Sequence, residues 1–295
     1  MPDSAGSAIT AIDVVKTYGD FTALAGVSIH VEQGECLGVL GPNGAGKTTL
    51  TEILEGYRER DSGQASVLGV DPGKPNSAWK ARIGIVLQNA SDMADLTVGE
   101  TISNFAKYYP NPANVDEVIG AVGLTEKVDS RNGKLSGGQR RRLDVALGII
   151  GNPEVLFLDE PTTGFDPEAR REFWVLIERL KSEGTTILLT THYLDEAQFL
   201  ADRVAVIARG RIVAEGVPDS IGDRRNAIVS WTHGGEEYTE STAEPTAFVQ
   251  QLATQFDGEI PHLSVRRASL EDAYLQLIAQ DRDANPHDDV DGTHA

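Results

Sequence analysis

Gly41-Pro42-Asn43-Gly44-Ala45-Gly46-Lys47-Thr48-Thr49 follows directly on the apolar run Cys36 to Leu40 and leads into an apolar-periodic stretch through Leu50, Ile53 and Leu54. The pattern predicts a buried strand, a glycine-rich turn and a helix. It matches G-x-x-x-x-G-K-[ST] in full, in the strand-to-helix setting that this phosphate loop requires. Glycines let successive backbone N–H groups turn inward around an oxyanion. The helix that follows adds free donors and the positive end of its dipole, worth about half a charge. On this reading Lys47 reaches the β and γ phosphates of a nucleoside triphosphate, and the Thr48 hydroxyl holds Mg²⁺.

Two further apolar runs have the look of strands buried on both faces of a parallel sheet. Val155 to Leu158 ends abruptly in Asp159 and Glu160, and Ile187 to Thr190 ends in Thr191 and His192. Between them a helix announces its own limits: Asp166 as N-cap, Pro167 in the first turn, Phe173, Leu176, Ile177 and Leu180 on one face, and Gly184 past the end. A strand, helix, strand unit with a right-handed crossover follows. Asp159 and Glu160 then lie at the C-terminal edge of the sheet, where ligands of open α/β sheets bind. Asp159 is expected to complete the Mg²⁺ environment and Glu160 to act as general base on the attacking water.

From about residue 89 to 153 the periodicity turns helical, with Val115, Val118, Ile119 and Val122 on one stripe and Leu143, Ala146, Leu147 and Ile150 on another. This predicts an inserted helical subdomain. Beyond Gly216 the pattern is a strand over Ala227 to Trp231, a helix carrying Val249, Leu252, Ala253 and Phe256, a strand over His262 to Arg266, and a helix from Leu270 to Ile278. The expected divisions are 1–217 for the nucleotide-binding domain, 218–280 for a small α/β accessory domain, and 281–295 for a disordered acidic tail.

Composition narrows the function. In 295 residues, 45 acidic groups outnumber 26 basic ones, for a net charge of −19. From Asp219 onward there are 15 acidic against 5 basic residues, a net of −10. Diffuse binding to a nucleic-acid backbone is unfavourable for such a chain. The single cysteine, Cys36, forbids an intrachain disulfide. No apolar run approaches the roughly 18 to 20 residues of a membrane span, and Met1 to Thr10 lacks the features of a secretory signal. Any work at a membrane requires another subunit as anchor.

A phosphate loop alone leaves many nucleotidases open, and Leu135-Ser136-Gly137-Gly138-Gln139 narrows them. Ser136 and Gln139 form an S-x-x-Q capping box, and the two glycines leave the helix N-terminus open to an anion. The pentapeptide resembles the signature of ATP-binding cassette ATPases, and it lies shortly before the Val155 to Glu160 strand, as it does in that family. The resemblance extends over roughly Ile9 to Gly216. It assigns Tyr18, in Lys16-Thr-Tyr-Gly19, to stacking on adenine, and Gln88 to sensing Mg²⁺ and the nucleophilic water. It assigns Asp166, in Thr163-Gly-Phe-Asp166, to the aspartate loop at a dimer interface, and His192 to contact with the γ-phosphate. Phe165 stands where the family more often has leucine.

The implied fold is α/β: a P-loop NTPase core with a mostly parallel sheet, an inserted helical signature subdomain and a small C-terminal α/β accessory domain. The implied activity is hydrolysis of ATP with Mg²⁺ in a head-to-tail dimer. There the signature of one subunit, Ser136, Gly137, Gly138 and Gln139, caps the ATP held by the phosphate loop of the other. One loop and one signature per chain imply a second ATP-binding subunit, most simply a homodimer. Leu96-Thr-Val-Gly-Glu100 resembles the region that receives a coupling helix from a membrane permease. Thr162 to Pro167, the Arg-rich signature helix and Ser269 to Leu275 resemble the drug-export branch typified by the daunorubicin and doxorubicin exporter ATPase. The expected role is therefore the ATPase subunit of an exporter, peripheral to the cytoplasmic face of the cell membrane, powering efflux of a hydrophobic compound, drug or lipid. A soluble regulatory or stress-related ATPase acting on a protein is the alternative. Arg140, Arg141 and Arg142 oppose the helix dipole. They are expected on a solvated or acid-paired face, or else to supply a local positive field that attracts nucleotide.

Overall fold

The computed structural model of the chain describes residues 6–86, 93–221, 227–256, 258–267, 270–272 and 274–275. Two compact units divide it, Met1–Glu215 and Gly216–Ala295.

In the first unit the elements run β1 (Ser7–Tyr18), β2 (Phe21–Glu32), β3 (Cys36–Leu40), α1 (Lys47–Leu54), β4 (Ser62–Val67), α2 (Ser77–Lys80) and β5 (Ile83–Val86). They continue with α3 (Val98–Ala106), α4 (Val115–Ala121), α5 (Gly137–Ile149), β6 (Val155–Asp159), α6 (Pro167–Ser182), β7 (Thr186–Thr191), α7 (Leu194–Leu200), β8 (Arg203–Ala208) and β9 (Arg211–Gly216). The central sheet has the order β5-β6-β7-β3-β8-β9, with every pair from β5 to β8 parallel. β3, β6 and β7 are wholly or almost wholly buried along their length, which is why they read as unbroken apolar runs. Because β7 lies between β6 and β3, the phosphate loop, the Asp159–Glu160 corner and His192 all emerge at one edge.

A second sheet, β2-β1-β4, is antiparallel. It leaves no clear period-two pattern in the sequence. Register shifts after Ser7, Ala11, Val14 and Lys16 break the alternation of inward and outward residues that would announce β1. Its inner face joins the core of the parallel sheet in one cluster that includes Ile9, Leu24, Val27, Leu50, Ile53, Phe157, Leu188 and Ile207. Trp79 closes one end, fully buried, with its indole N–H donating to Val67 O at 2.8 Å.

Helices α3, α4 and α5 form the helical insert, and α5 packs on β5. Thr97 and Glu100 make a reciprocal capping box on α3, so Leu96 to Glu100 is a capped helix start. Asn132 braces the insert, donating through Nδ2 to Thr101 Oγ1 at 2.7 Å and Met93 O at 2.9 Å.

The second unit contains β10 (Ala227–His233), β11 (Glu236–Thr242), α8 (Pro245–Ala253) and β12 (Ser264–Arg267), with sheet order β11-β10-β12. β11 is absent from the sequence reading because EEYTEST exposes nearly every side chain and carries no apolar face. The last strand begins at Ser264, since His262 adopts a left-handed φ of 53° that ends extended structure. Phe256 lies beyond the end of α8. In the helix expected over Leu270 to Ile278, residues 270–272 and 274–275 are helical, while residues 273 and 276–278, and all of the tail over 281–295, fall outside the described residues.

Candidate nucleotide site

The cradle is built by glycine where nothing larger fits. A Cβ on Gly41 would lie 2.4 Å from Ile207 O, and one on Gly46, whose φ is 106°, would lie 2.5 Å from Ala23 O. The loop is therefore pressed against β8 and β2 and forced into a left-handed bend just before α1. Ala45 packs into the core, and Thr49 follows Thr48 in the first turn of α1.

Lys47 is 5% exposed, yet its Nζ is held at the surface of the loop by Gly41 O at 2.8 Å and Pro42 O at 3.1 Å. Glu160 Oε1 lies 3.9 Å away. Burial pushes the ammonium pKa below its usual value, and the carboxylates of Glu160 and Asp159 oppose that shift. An ammonium clamped by two neutral carbonyls and faced by one carboxylate is poised to accept a further anion.

A cleft of about 390 Å³ opens between this loop and the sheet edge. Tyr18, Asn43, Gly44, Gly46, Lys47, Thr48, Thr49, Asp159 and Glu160 line it, whereas Gly41, Pro42 and Ala45 do not. Thr48 Oγ1 and Asp159 Oδ2 face one another at 3.4 Å across it. A hydroxyl oxygen and a carboxylate oxygen at the mouth of a phosphate cradle are the hard donors that Mg²⁺ prefers, so the residues fit that ion. Thr190 Oγ1 donates to the other oxygen of Asp159, fixing its carboxylate plane. Residues Asp159 and Thr190 are register partners across β6 and β7, which makes this contact a product of strand pairing.

Glu160 turns the chain with φ 45°, left-handed for a non-glycine residue. Its carboxylate meets His192 Nδ1 at 3.2 Å. Gln88 lies outside the described residues.

Tyr18 is half-exposed at the end of β1, with its ring on the wall of the cleft. Arg58 lies over its ring at 5.2 Å from the centroid. Phe21, its partner across the β1–β2 hairpin, also lines the cleft and is 59% exposed. Sequence reasoning missed Phe21. The available signal was a second aromatic across the tight turn Gly19-Asp20, which a hairpin reading would have placed beside Tyr18.

Ser136, Gly137, Gly138, Gln139 and Asp166 do not line this cleft. Ser136 Oγ accepts from Gln139 N at 3.3 Å, and Gln139 Oε1 accepts from Ser136 N at 3.1 Å, completing the expected capping box. Such caps contribute about 1 kcal/mol. A Cβ on Gly137 or Gly138 would meet nothing within 4 Å, so this chain's own packing does not demand glycine there. Asp166 Oδ1 caps α6, accepting from Glu168 N at 3.0 Å and Ala169 N at 2.8 Å. Phe165 is buried edge-on against Phe173 at 5.9 Å, anchoring the preceding loop to α6.

The arginine triplet departs from both expectations at its centre. Arg142 pairs with Glu172 and Arg140 is exposed, whereas Arg141 is only 7% exposed and donates to two backbone carbonyls. Helical spacing explains the difference: α5 directs residue 141 towards the sheet and its neighbours away from it.

A parallel sheet with a phosphate loop on its central strand and paired carboxylates two strands away defines a P-loop nucleotide-binding fold. Residues 24–163 match the family model for ABC transporters. The Nod factor export ATP-binding protein I of Rhizobium sp. (strain N33) is 36% identical over 297 residues, which cover 93% of this chain and 98% of that protein. The protein of the same name from Paraburkholderia xenovorans is 41% identical, over 91% and 96%. The daunorubicin resistance ATP-binding protein DrrA3 of Streptomyces coeruleorubidus is 41% identical, over 76% and 74%. The crystal structure of an ABC transporter cassette in its ADP conformation superposes with a TM-score of 0.63 at 28% identity, covering 72% of this chain and 91% of that one. The chain belongs to the ABC transporter family, as one of its ATP-binding subunits, and it is a nucleotide-binding ATPase.

Proposed function

We propose that this chain is the ATP-hydrolysing subunit of an exporter. Two copies close head to tail on two ATP molecules, at the cytoplasmic face of a membrane and bound to a separate permease. Efflux of a hydrophobic compound, drug or lipid through that permease is the work performed. Among the described residues no helix is long and apolar enough to cross a membrane, in keeping with a separate subunit for the passage. The named relatives are export and drug-resistance ATP-binding proteins, which supports the transport reading.

Each residue has a task in this scheme. Backbone N–H groups of Gly44, Gly46 and Lys47 hold the phosphates, and the Lys47 ammonium neutralises charge that develops on them. Thr48 and Asp159 would hold Mg²⁺, with Gln88 as a further candidate, and the ion would supply charge neutralisation to the β and γ phosphates. Tyr18 offers its ring to adenine. Glu160 orients the attacking water and accepts its proton, while His192 steadies the Glu160 carboxylate and contacts the γ-phosphate. Ser136, Gly137, Gly138 and Gln139 of one chain cap the ATP of the other, and Asp166 lies at the same interface. The two open glycines support this, because they leave the N-terminal N–H groups of α5 free for a phosphate to approach. Closure on ATP and reopening after hydrolysis transmit the cycle to the permease.

The observation that supports the reading most is the convergence of Lys47, Thr48, Asp159 and Glu160 on one cleft. Expression together with the adjacent gene products tests it. Recovery in membranes, with an ATPase rate that responds to hydrophobic compounds once the permease is present, is the expected result. A soluble complex indifferent to such compounds would contradict it.

A further inference from the structure

Arg141 is a buried cation that reaches two backbone carbonyls of the β6 corner. Its Nε donates to Pro161 O at 2.9 Å and its Nη2 to Asp159 O at 2.8 Å. These two carbonyls stand on either side of Glu160. Glu160 itself needs holding, because a left-handed φ costs a non-glycine residue on the order of 1 kcal/mol and persists only where the surroundings impose it. From the side of β7 its N–H is held by Thr190 O at 3.0 Å. From the side of α5 the chain around it is held by Arg141. A planar guanidinium can span two carbonyls at once, and a point-charge ammonium cannot do so with the same geometry. Arg141 lies five residues after the Ser136 cap on the same helix, so the guanidinium is a rigid tie between the start of α5 and the corner that carries Glu160.

We propose that Arg141 is a positioning residue for the hydrolytic step: it clamps the Asp159–Pro161 backbone so that the Glu160 carboxylate stays turned towards His192 and Lys47, and it links that placement to the helix beginning at Ser136. The inference rests on the assignment of Glu160 as general base. It adds a mechanical consequence, since any shift of α5 in response to the nucleotide it caps is passed to the base serving the nucleotide in its own chain.

The test compares ATP turnover and equilibrium ATP binding in wild type, Arg141→Met, Arg141→Lys, Glu160→Gln and the double variant Arg141→Met with Glu160→Gln. Arg141→Met should lower kcat by about 10²-fold, the size expected for a misplacement of about 1 Å, with ATP affinity changed less than about twofold. Arg141→Lys should recover part of that loss. In single-turnover measurements of residual activity, Arg141→Met should add little to Glu160→Gln, because both act through one group. Unchanged kcat in Arg141→Met would overturn the proposal. So would a parallel loss of kcat and affinity, or an undiminished effect in the Glu160→Gln background. Should Arg141→Met fail to fold, Arg141→Lys and Arg141→Gln carry the same comparison. Undiminished hydrolysis by Glu160→Gln alone would instead remove the base assignment, a failure distinct from that of Arg141.

Discussion

His192 Nδ1 lies 3.2 Å from Glu160 Oε1, the same carboxylate oxygen that stands 3.9 Å from Lys47 Nζ. Loop, strand end and strand end are thereby joined at a single atom. Glu160→Gln should abolish turnover while ATP binding survives. His192→Ala, which frees that carboxylate, should reduce kcat by about 10² to 10³ if it resembles the loss of one preorganised group. Steady-state hydrolysis beside equilibrium nucleotide binding checks both, and a wild-type rate in either variant rejects that residue's role.

Lys47 is buried against carbonyls that need a donor. Lys47→Ala should therefore weaken nucleotide binding and cost about 10² to 10³ in rate, the range for removing one preorganised donor. Wild-type hydrolysis in this variant would contradict the cradle.

Tyr18 and Phe21 face the cleft from one hairpin. Tyr18→Ala should weaken ATP binding by about 1 to 3 kcal/mol, the range for base stacking on aromatic platforms. Phe21→Ala should weaken it in the same direction. Isothermal titration with ATP and with inorganic triphosphate separates the contributions, since only binding of the base-containing ligand should suffer. Equal losses for both ligands would leave the rings structural.

Glu55 caps the C-terminal end of α1, 7% exposed, and its carboxyl is pushed up to about 8, first by burial and then by Asp159 and Glu52. Between an unfolded value near 4.5 and the folded value the native state binds the extra proton. This contribution to stability is therefore fully present below about pH 4.5 and lost as pH rises towards 8, at up to about 1.4 kcal/mol per unit. Glu55→Gln removes the titration. The fall in Tm between pH 5.5 and pH 8 should be shallower in the variant than in wild type, and parallel curves would refute the assignment.

The parts of this molecule that were legible in the sequence are those in which one residue type satisfies several constraints at once. Gly41 and Gly46 permit close backbone approach and mark the phosphate loop, and Asp166 with Pro167 marks both a helix start and a loop. The β2-β1-β4 sheet escaped because its bulges scramble the period-two pattern, and β11 escaped because it has no apolar face. Arg141 was hidden inside a run of identical residues. Only the rotation of α5 against β6 distinguishes it from Arg140 and Arg142, and composition contains no trace of that rotation.

In the proposed dimer, one chain's phosphate loop and another chain's Ser136 helix hold the same ATP. Light scattering on Glu160→Gln protein at saturating ATP tests it most directly, beside the same protein carrying Ser136→Arg. The first should be a dimer and the second an ATP-loaded monomer. A dimer that persists in the Ser136→Arg protein, or a Glu160→Gln protein that stays monomeric with ATP bound, would contradict it.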